Sequence, residues 1–210
     1  MKKLVVIATG NAGKVREFAK AFENSDPNLE FKTQKEVGFS IDVEENGSTF
    51  QENARIKALA VAEFLKSKQI QATVIADDSG LEVKALGGAP GIHSARFAGE
   101  HGNSRANNEK LLRELAGASD RSARFVCHLC IVHANGKIDD VEGECPGKII
   151  EEFRGEEGFG YDPLFVANGK TQTFAEMSLE EKQALSHRGH AIEILKSRKI
   201  LSEQSFLEVR

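Results

Sequence analysis

The chain has no apolar run near the ~18 residues that a helix needs to cross a bilayer, so no helical membrane span is expected. It has no basic excess either. Its 28 Lys and Arg stand against 32 Asp and Glu, a formal charge of −4, which argues against a nucleic-acid partner held along its phosphate backbone. Cysteines number three, an odd count that speaks against a disulfide framework and for a reducing, cytoplasmic setting. There is no internal repeat, low-complexity stretch or long linker. A Walker A loop is missing as well: Ala8 stands where its first glycine belongs, and Val15 where its metal-binding Ser or Thr belongs.

What is present is 210 residues, 40% hydrophobic and 29% charged, enough for a sizeable core and read as one domain over residues 1–210. The opening MKKLVVIATG reads as a first strand and not a leader, because charge and glycine return by Gly13 and Lys14. A glycine turn follows, then an amphipathic helix carrying Val15, Phe18, Ala19 and Phe22. Residues 29–33 offer a second strand. Thr49, with Glu52 three residues on, has the spacing of a capping box before a helix over 50–66. Residues 73–76 read as a third strand ending at Asp77, and 123–132 with 137–145 as an antiparallel hairpin across the Ala134, Asn135, Gly136 turn. Ser186 can cap a last helix. Such a hairpin does not arise from uninterrupted parallel winding, so a mixed sheet is expected. In it, Cys127 and Cys130 point to opposite faces and serve as structural thiols, not metal ligands.

Several groups could carry chemistry. The turn Thr9, Gly10, Asn11, Ala12, Gly13 and Lys14 lies between strand and helix, where open N–H groups and a lysine suit an anion; a plain connection is the bland alternative. Asp77 and Asp78 could hold a cation or activate water, but neighbours in a strand point oppositely, so one should reach a site and the other cap a turn or face solvent. Glu44 and Glu45 supply further acids, although acidic loops are usually just solvated. Tyr161 in GFGYDP (158–163) could stack on a purine or plug an interface. Ser186, His187 and Arg188, with Lys182 one turn earlier, form a basic cluster that could equally be an ordinary helix start.

Taken in order, ATGNAGK (8–14), EENGSTFQENA (44–54), ADDSGL (76–81), LGGAPGI (86–92), GFGYDP (158–163) and SHR (186–188) resemble the inosine triphosphate pyrophosphatase family, the Ham1-like or RdgB-like enzymes, across nearly the whole chain. The resemblance is closer to bacterial members than to animal ones. It implies an elongated, two-lobed α/β fold around a central mixed sheet, a nucleotide cleft between the lobes, and a homodimer. It also implies magnesium-dependent hydrolysis of ITP, dITP and XTP to the monophosphate and pyrophosphate. Carried over to this chain, Asp78 and Lys14 would be catalytic, and Thr9, Gly10, Asn11, Ala12, Gly13, Lys14, Lys57 and Ser79 would hold the phosphate side of the substrate. Phe159, Gly160, Tyr161, Asp162, Lys182, His187 and Arg188 would form the base pocket. Glu44, with Asp78, would be the metal acid, Glu45 remaining open. A pyrophosphatase for other modified nucleotides and a non-catalytic nucleotide sensor are the alternatives. Two departures stand out: GEEG at 155–158, where the family carries a further glycine, and the tail over 202–210.

Overall fold

The computed structural model describes residues 2–23 and 26–201, and the tail over 202–210 lies outside them. One six-stranded mixed sheet, in the order β2-β1-β3-β4-β5-β6, organises the chain. Its strands are β1 (Lys3–Ala8), β2 (Leu29–Thr33), β3 (Thr73–Val83), β4 (Ser122–Val132), β5 (Ile138–Ile149) and β6 (Phe165–Ala167). β1 pairs in parallel with β2 on one side and β3 on the other, and the remaining pairings are antiparallel, as the hairpin reading requires.

The helices are α1 (Ala12–Phe22), α2 (Phe50–Ser67), α3 (Ser104–Glu114), α4 (Leu179–Gln183) and α5 (His187–Ser197). Helices α1 and α5 cover one face of the sheet, their Phe18, Phe22, Ile192 and Leu195 packing on Val5, Ile7, Ile75 and Leu129. Helix α2 covers the other face with Ala54, Ala58, Val61 and Leu65 over Val6, Val74 and Ala76. At its start the Thr49 hydroxyl accepts from Glu52 N–H, but the Glu52 carboxylate turns to Ser48, so only half of the expected reciprocal cap forms. A third apolar cluster, including Leu81, Leu111, Phe125, Tyr161, Phe165 and Phe174, fills the far end. Cys127 and Cys130 fall in different clusters on opposite faces, as strand alternation demands.

This topology makes the cleft. β1 leaves toward β2 through α1, whereas the chain returns through α2 to β3 on its other flank, so the strand order reverses between β1 and β3. Crevices form at such reversals, beyond the carboxyl ends of the parallel strands. The third strand does not stop at Asp77. Its pairing with β1 ends at Ala8 opposite Ala76, yet β3 continues to Val83 because β4 still pairs with it. Asp77, Asp78 and Ser79 therefore lie along an edge that β1 has vacated, next to the start of α1.

Candidate active site

A cleft of about 600 Å³ opens there and is lined by the turn Thr9–Lys14, by Glu45, Lys57, Asp78 and Ser79, and by Phe159–Asp162, Lys182, His187 and Arg188. On its first wall Asn11 caps α1, its side-chain oxygen accepting Lys14 N–H at 3.1 Å, while Thr9 Oγ1 accepts Asn11 N–H at 3.2 Å. The earliest N–H groups of a helix have no partner within it, and Ala12 and Gly13 face the cleft. Gly13 is required for another reason: a Cβ there would collide with the Phe159 ring, which packs on the turn. Lys14 reaches across to ion pair with Asp77.

Alternation along β3 sends the two aspartates to opposite sides, but Asp77 neither caps a turn nor faces solvent, which corrects the sequence expectation. It is fully buried under α5, where its carboxylate accepts from Lys14, Ser79 Oγ (3.0 Å), Arg188 Nε (2.8 Å) and Cys127 Sγ (3.0 Å). Burial alone would raise its pKa; Arg188 and Lys14 instead hold it well below the usual carboxylate range.

Asp78 faces α2. Its Oδ1 accepts from Lys57 Nζ at 2.9 Å, while Oδ2 is buried with no hydrogen-bond partner among the described residues. Burial and the nearby Glu45 charge push Asp78 up to about 6 in spite of Lys57 and Lys14. Titrated without divalent metal, one carboxyl carbon should therefore change its NMR shift near pH 6, and this transition should vanish in Asp78→Asn. Added magnesium should move it to lower pH, because a neighbouring cation favours the charged form. A carboxyl that stays at an ordinary value in the metal-free protein would refute this environment.

The acid that joins Asp78 is Glu45. Its Oε2 accepts from Lys57 Nζ at 2.9 Å and it lines the cleft; burial raises its pKa, but Lys57 brings it below the ordinary value. Glu44 is exposed and outside the lining, so the structure does not bring it to Asp78. No group of three or more His, Cys, Asp or Glu is placed to hold a metal among the described residues. Two hard oxygen donors, one with an unsatisfied buried oxygen, nonetheless fit magnesium, which binds through one or two carboxylates and takes its other oxygens from water and phosphate.

Behind the second wall lies a buried ionic network. Lys182 bonds Glu17 and Asp162, both at 2.6 Å, and Arg188 bonds Glu17, Asp77 and Ser79. Burial pushes Glu17 up, but Arg188 and Lys182 bring it down to about 2. Asp162 also accepts Phe159 N–H at 2.8 Å and so shapes the GFGYDP turn. Tyr161 does not offer a stacking face: it is buried, with its hydroxyl donating to the Ser94 carbonyl at 2.9 Å. Phe159 is the half-exposed ring in the cleft, with Lys182 Nζ 4.7 Å from its centroid. His187 stacks on Phe125, centroids 4.7 Å apart, and its Nδ1 is buried without a partner among the described residues. Burial and adjacent Arg188 drive its pKa well below the ordinary value, so it is a neutral imidazole.

Glu17 is the member of this network that the sequence reading missed. Its signal was available: with Gly13 and Ala21 it follows the i, i+4 spacing on the buried side of α1, where an acid requires a buried partner.

Three comparisons bear on this geometry. The family model described as Ham1 family matches residues 5–198. A dITP/XTP pyrophosphatase of Clostridium perfringens is 50% identical over 199 residues, spanning 93% of this chain and 96% of that protein. One of the same name from Bacillus licheniformis is 49% identical over 195 residues, with 92% and 96% covered. The Staphylococcus aureus Ham1 protein superposes with a TM-score of 0.82 at 42% identity, covering 96% of this chain and all of that one.

Proposed function

This chain belongs to the Ham1 family, and from that membership we propose that it hydrolyses non-standard purine nucleoside triphosphates, dITP, XTP and ITP, to the monophosphate and pyrophosphate. One observation carries the reading: a carboxylate with an unsatisfied oxygen, Asp78, sits between a phosphate-suited helix start and an aromatic, cation-backed pocket. The whole chain acts as one domain, in the cytoplasm, as a homodimer, organised around a single sheet.

The triphosphate lies along the turn from Thr9 to Lys14, with the base toward Phe159 and His187. Asp78 orients the attacking water and takes its proton, with a pKa close enough to working pH for general-base catalysis. Lys57, fixed by Asp78 and Glu45, places its charge beside the reacting phosphate, and Lys14 does the same from α1. Magnesium, held by Asp78 and Glu45, supplies Lewis-acid polarisation of phosphate oxygens when bound. A neutral His187 can give one N–H to the 6-keto oxygen of the non-standard bases. Adenine presents a donor at that position and would leave this N–H unpaired, a strong basis for rejection.

The test is pyrophosphate release from equal concentrations of inosine, deoxyinosine, xanthosine, adenosine and guanosine triphosphates, with magnesium and with chelator. Magnesium-dependent release from the first three and not from adenosine triphosphate is expected, while guanosine triphosphate, which shares the 6-keto oxygen, reports whether a further contact reads the 2-position. Binding without release from any of them would favour a nucleotide sensor. A second expectation separates the two loop acids: Glu45→Gln should raise the magnesium concentration for half-maximal rate by about tenfold or more, and Glu44→Gln should leave it unchanged. The reverse ordering in a magnesium titration would return the metal role to Glu44.

A further inference from the structure

Helix α3 carries two adjacent buried asparagines, and each holds a different segment of the cleft wall. Asn107 Nδ2 donates to the carbonyls of Ser94 and Ala95 at 3.3 and 3.2 Å, and its Oδ1 accepts Ala98 N–H at 2.7 Å. Asn108 holds the GFGYDP turn instead. Its Nδ2 donates to the Gly160 carbonyl at 2.7 Å and to the Ser104 carbonyl, one turn back on α3, at 2.8 Å. Gly160 lines the cleft, whereas Asn108 does not.

Packing alone does not account for an amide at this position. Asn108 is 2% exposed and shares the buried side of α3 with Leu111, yet its Oδ1 has no hydrogen-bond partner among the described residues. An orphaned buried acceptor is a cost that a leucine would avoid. The Gly160 carbonyl, in turn, needs a fixed partner. Gly160 has a φ of 62°, in the left-handed region, and a Cβ there would meet nothing, so the glycine serves backbone freedom and not close approach. That freedom would let the neighbouring peptide planes rotate. Asp162 pins the turn by accepting Phe159 N–H, and Asn108 pins the next carbonyl. A trans peptide points its C=O and the following N–H in opposite directions. With the Gly160 carbonyl turned to α3, the Tyr161 N–H is turned away from it, and no described residue accepts from that N–H.

We propose that Asn108 is a positioning residue for purine selection, which holds the Gly160–Tyr161 peptide in one orientation from outside the cleft. The assignment rests on the nucleotide reading of this cleft, in which the base lies toward Phe159. In the held orientation the turn offers the base a hydrogen-bond donor, which suits a 6-keto oxygen and not the 6-amino group of adenine. Released from Asn108, the peptide can turn its carbonyl the other way and present an acceptor, the polarity that adenine matches.

The test compares wild type with Asn108→Leu and Asn108→Asp. Neither variant can donate to Gly160 at neutral pH; the first also removes the orphaned oxygen and carries the comparison should the second fail to fold. Two readouts do not need turnover. Amide hydrogen exchange over residues 158–163 should quicken in the variants, and the calorimetric preference for inosine monophosphate over adenosine monophosphate should fall. In turnover, the ratio of kcat/KM for dITP to that for dATP should drop by about tenfold or more, through KM and not kcat, with the magnesium requirement unchanged. An unchanged monophosphate preference, a wild type without that preference, or a loss that falls on kcat for both nucleotides alike would overturn the assignment. Absence of pyrophosphate release from dITP by the wild type refutes the catalytic reading, and the monophosphate preference still decides the role of Asn108.

Discussion

Asp78→Asn should lower kcat for dITP by about 10²–10⁴-fold while leaving nucleotide binding measurable, the size of loss expected when a positioned general base is removed. The amide keeps the shape of the carboxylate and can still accept from Lys57 with its oxygen, but it can neither take a proton nor match a carboxylate as a ligand for a hard cation. Stability offers the control. Burial raises the folded pKa of Asp78 from 3.8 to about 6, so the proton is held more tightly in the folded protein. The associated stability is fully present below the unfolded value and is lost as pH rises through about 6. At neutral pH the ionised carboxylate thus disfavours folding, and the neutral variant should melt no lower than the wild type. Single-turnover pyrophosphate release together with a thermal scan checks both statements. Full turnover in Asp78→Asn would remove this residue as the base, and a collapsed fold would make its role structural.

Arg188→Ala should destabilise the protein by about 3–5 kcal/mol, because it strands Glu17 and Asp77 in a buried site without their shared cation. Arg188 is 1% exposed, so water cannot readily take its place. Urea unfolding at pH 7 measures the loss, and an unchanged midpoint would refute it. The sign of the pH dependence follows from Glu17, whose pKa falls from an ordinary 4.5 to about 2 on folding. Its contribution is present above about 4.5 and disappears as pH falls toward 2, so the gap between wild type and variant should narrow over that interval. The variant should also show a higher KM for inosine triphosphate and a smaller preference over ATP, since Ser79 and the floor of the base pocket lose their brace. A preference over ATP that survives intact would leave Arg188 a purely structural cation. Arg188→Lys should recover part of the stability but less of the preference, because an ammonium cannot reproduce the fork shared by Asp77, Glu17 and Ser79.

The buried network also accounts for the limits of reading residues one at a time. In the sequence, His187 and Arg188 look like a pair of surface cations at a helix start. In the fold, one is a neutral ring against Phe125 and the other the centre of an ionic cluster. A charge run is ordinarily a solvated face; here the partners arrive from α1 and β3, more than one hundred residues away in the chain.

Local order was within reach of the sequence by itself: the strand, turn and helix at 3–22, the central hairpin, the divergence of Cys127 from Cys130, and the Ser186 cap all depend on periods of 2 or 3.6 and on turn chemistry confined to a few neighbouring residues. The motifs also named most of the residues that line the cleft. Tertiary structure decided which member of each adjacent acid pair faces the cleft. Strand alternation sends Asp77 and Asp78 to opposite faces, but only the placement of α2 and α5 determines that Asp78 meets Lys57 and Asp77 meets Arg188. Glu44 and Glu45 lie in a loop with no repeating geometry, so nothing short of the folded path could select Glu45. The same holds for Glu17 and Tyr161, because burial and the presence of a partner are properties of segments brought together across the sheet, not of the residues beside them in the chain.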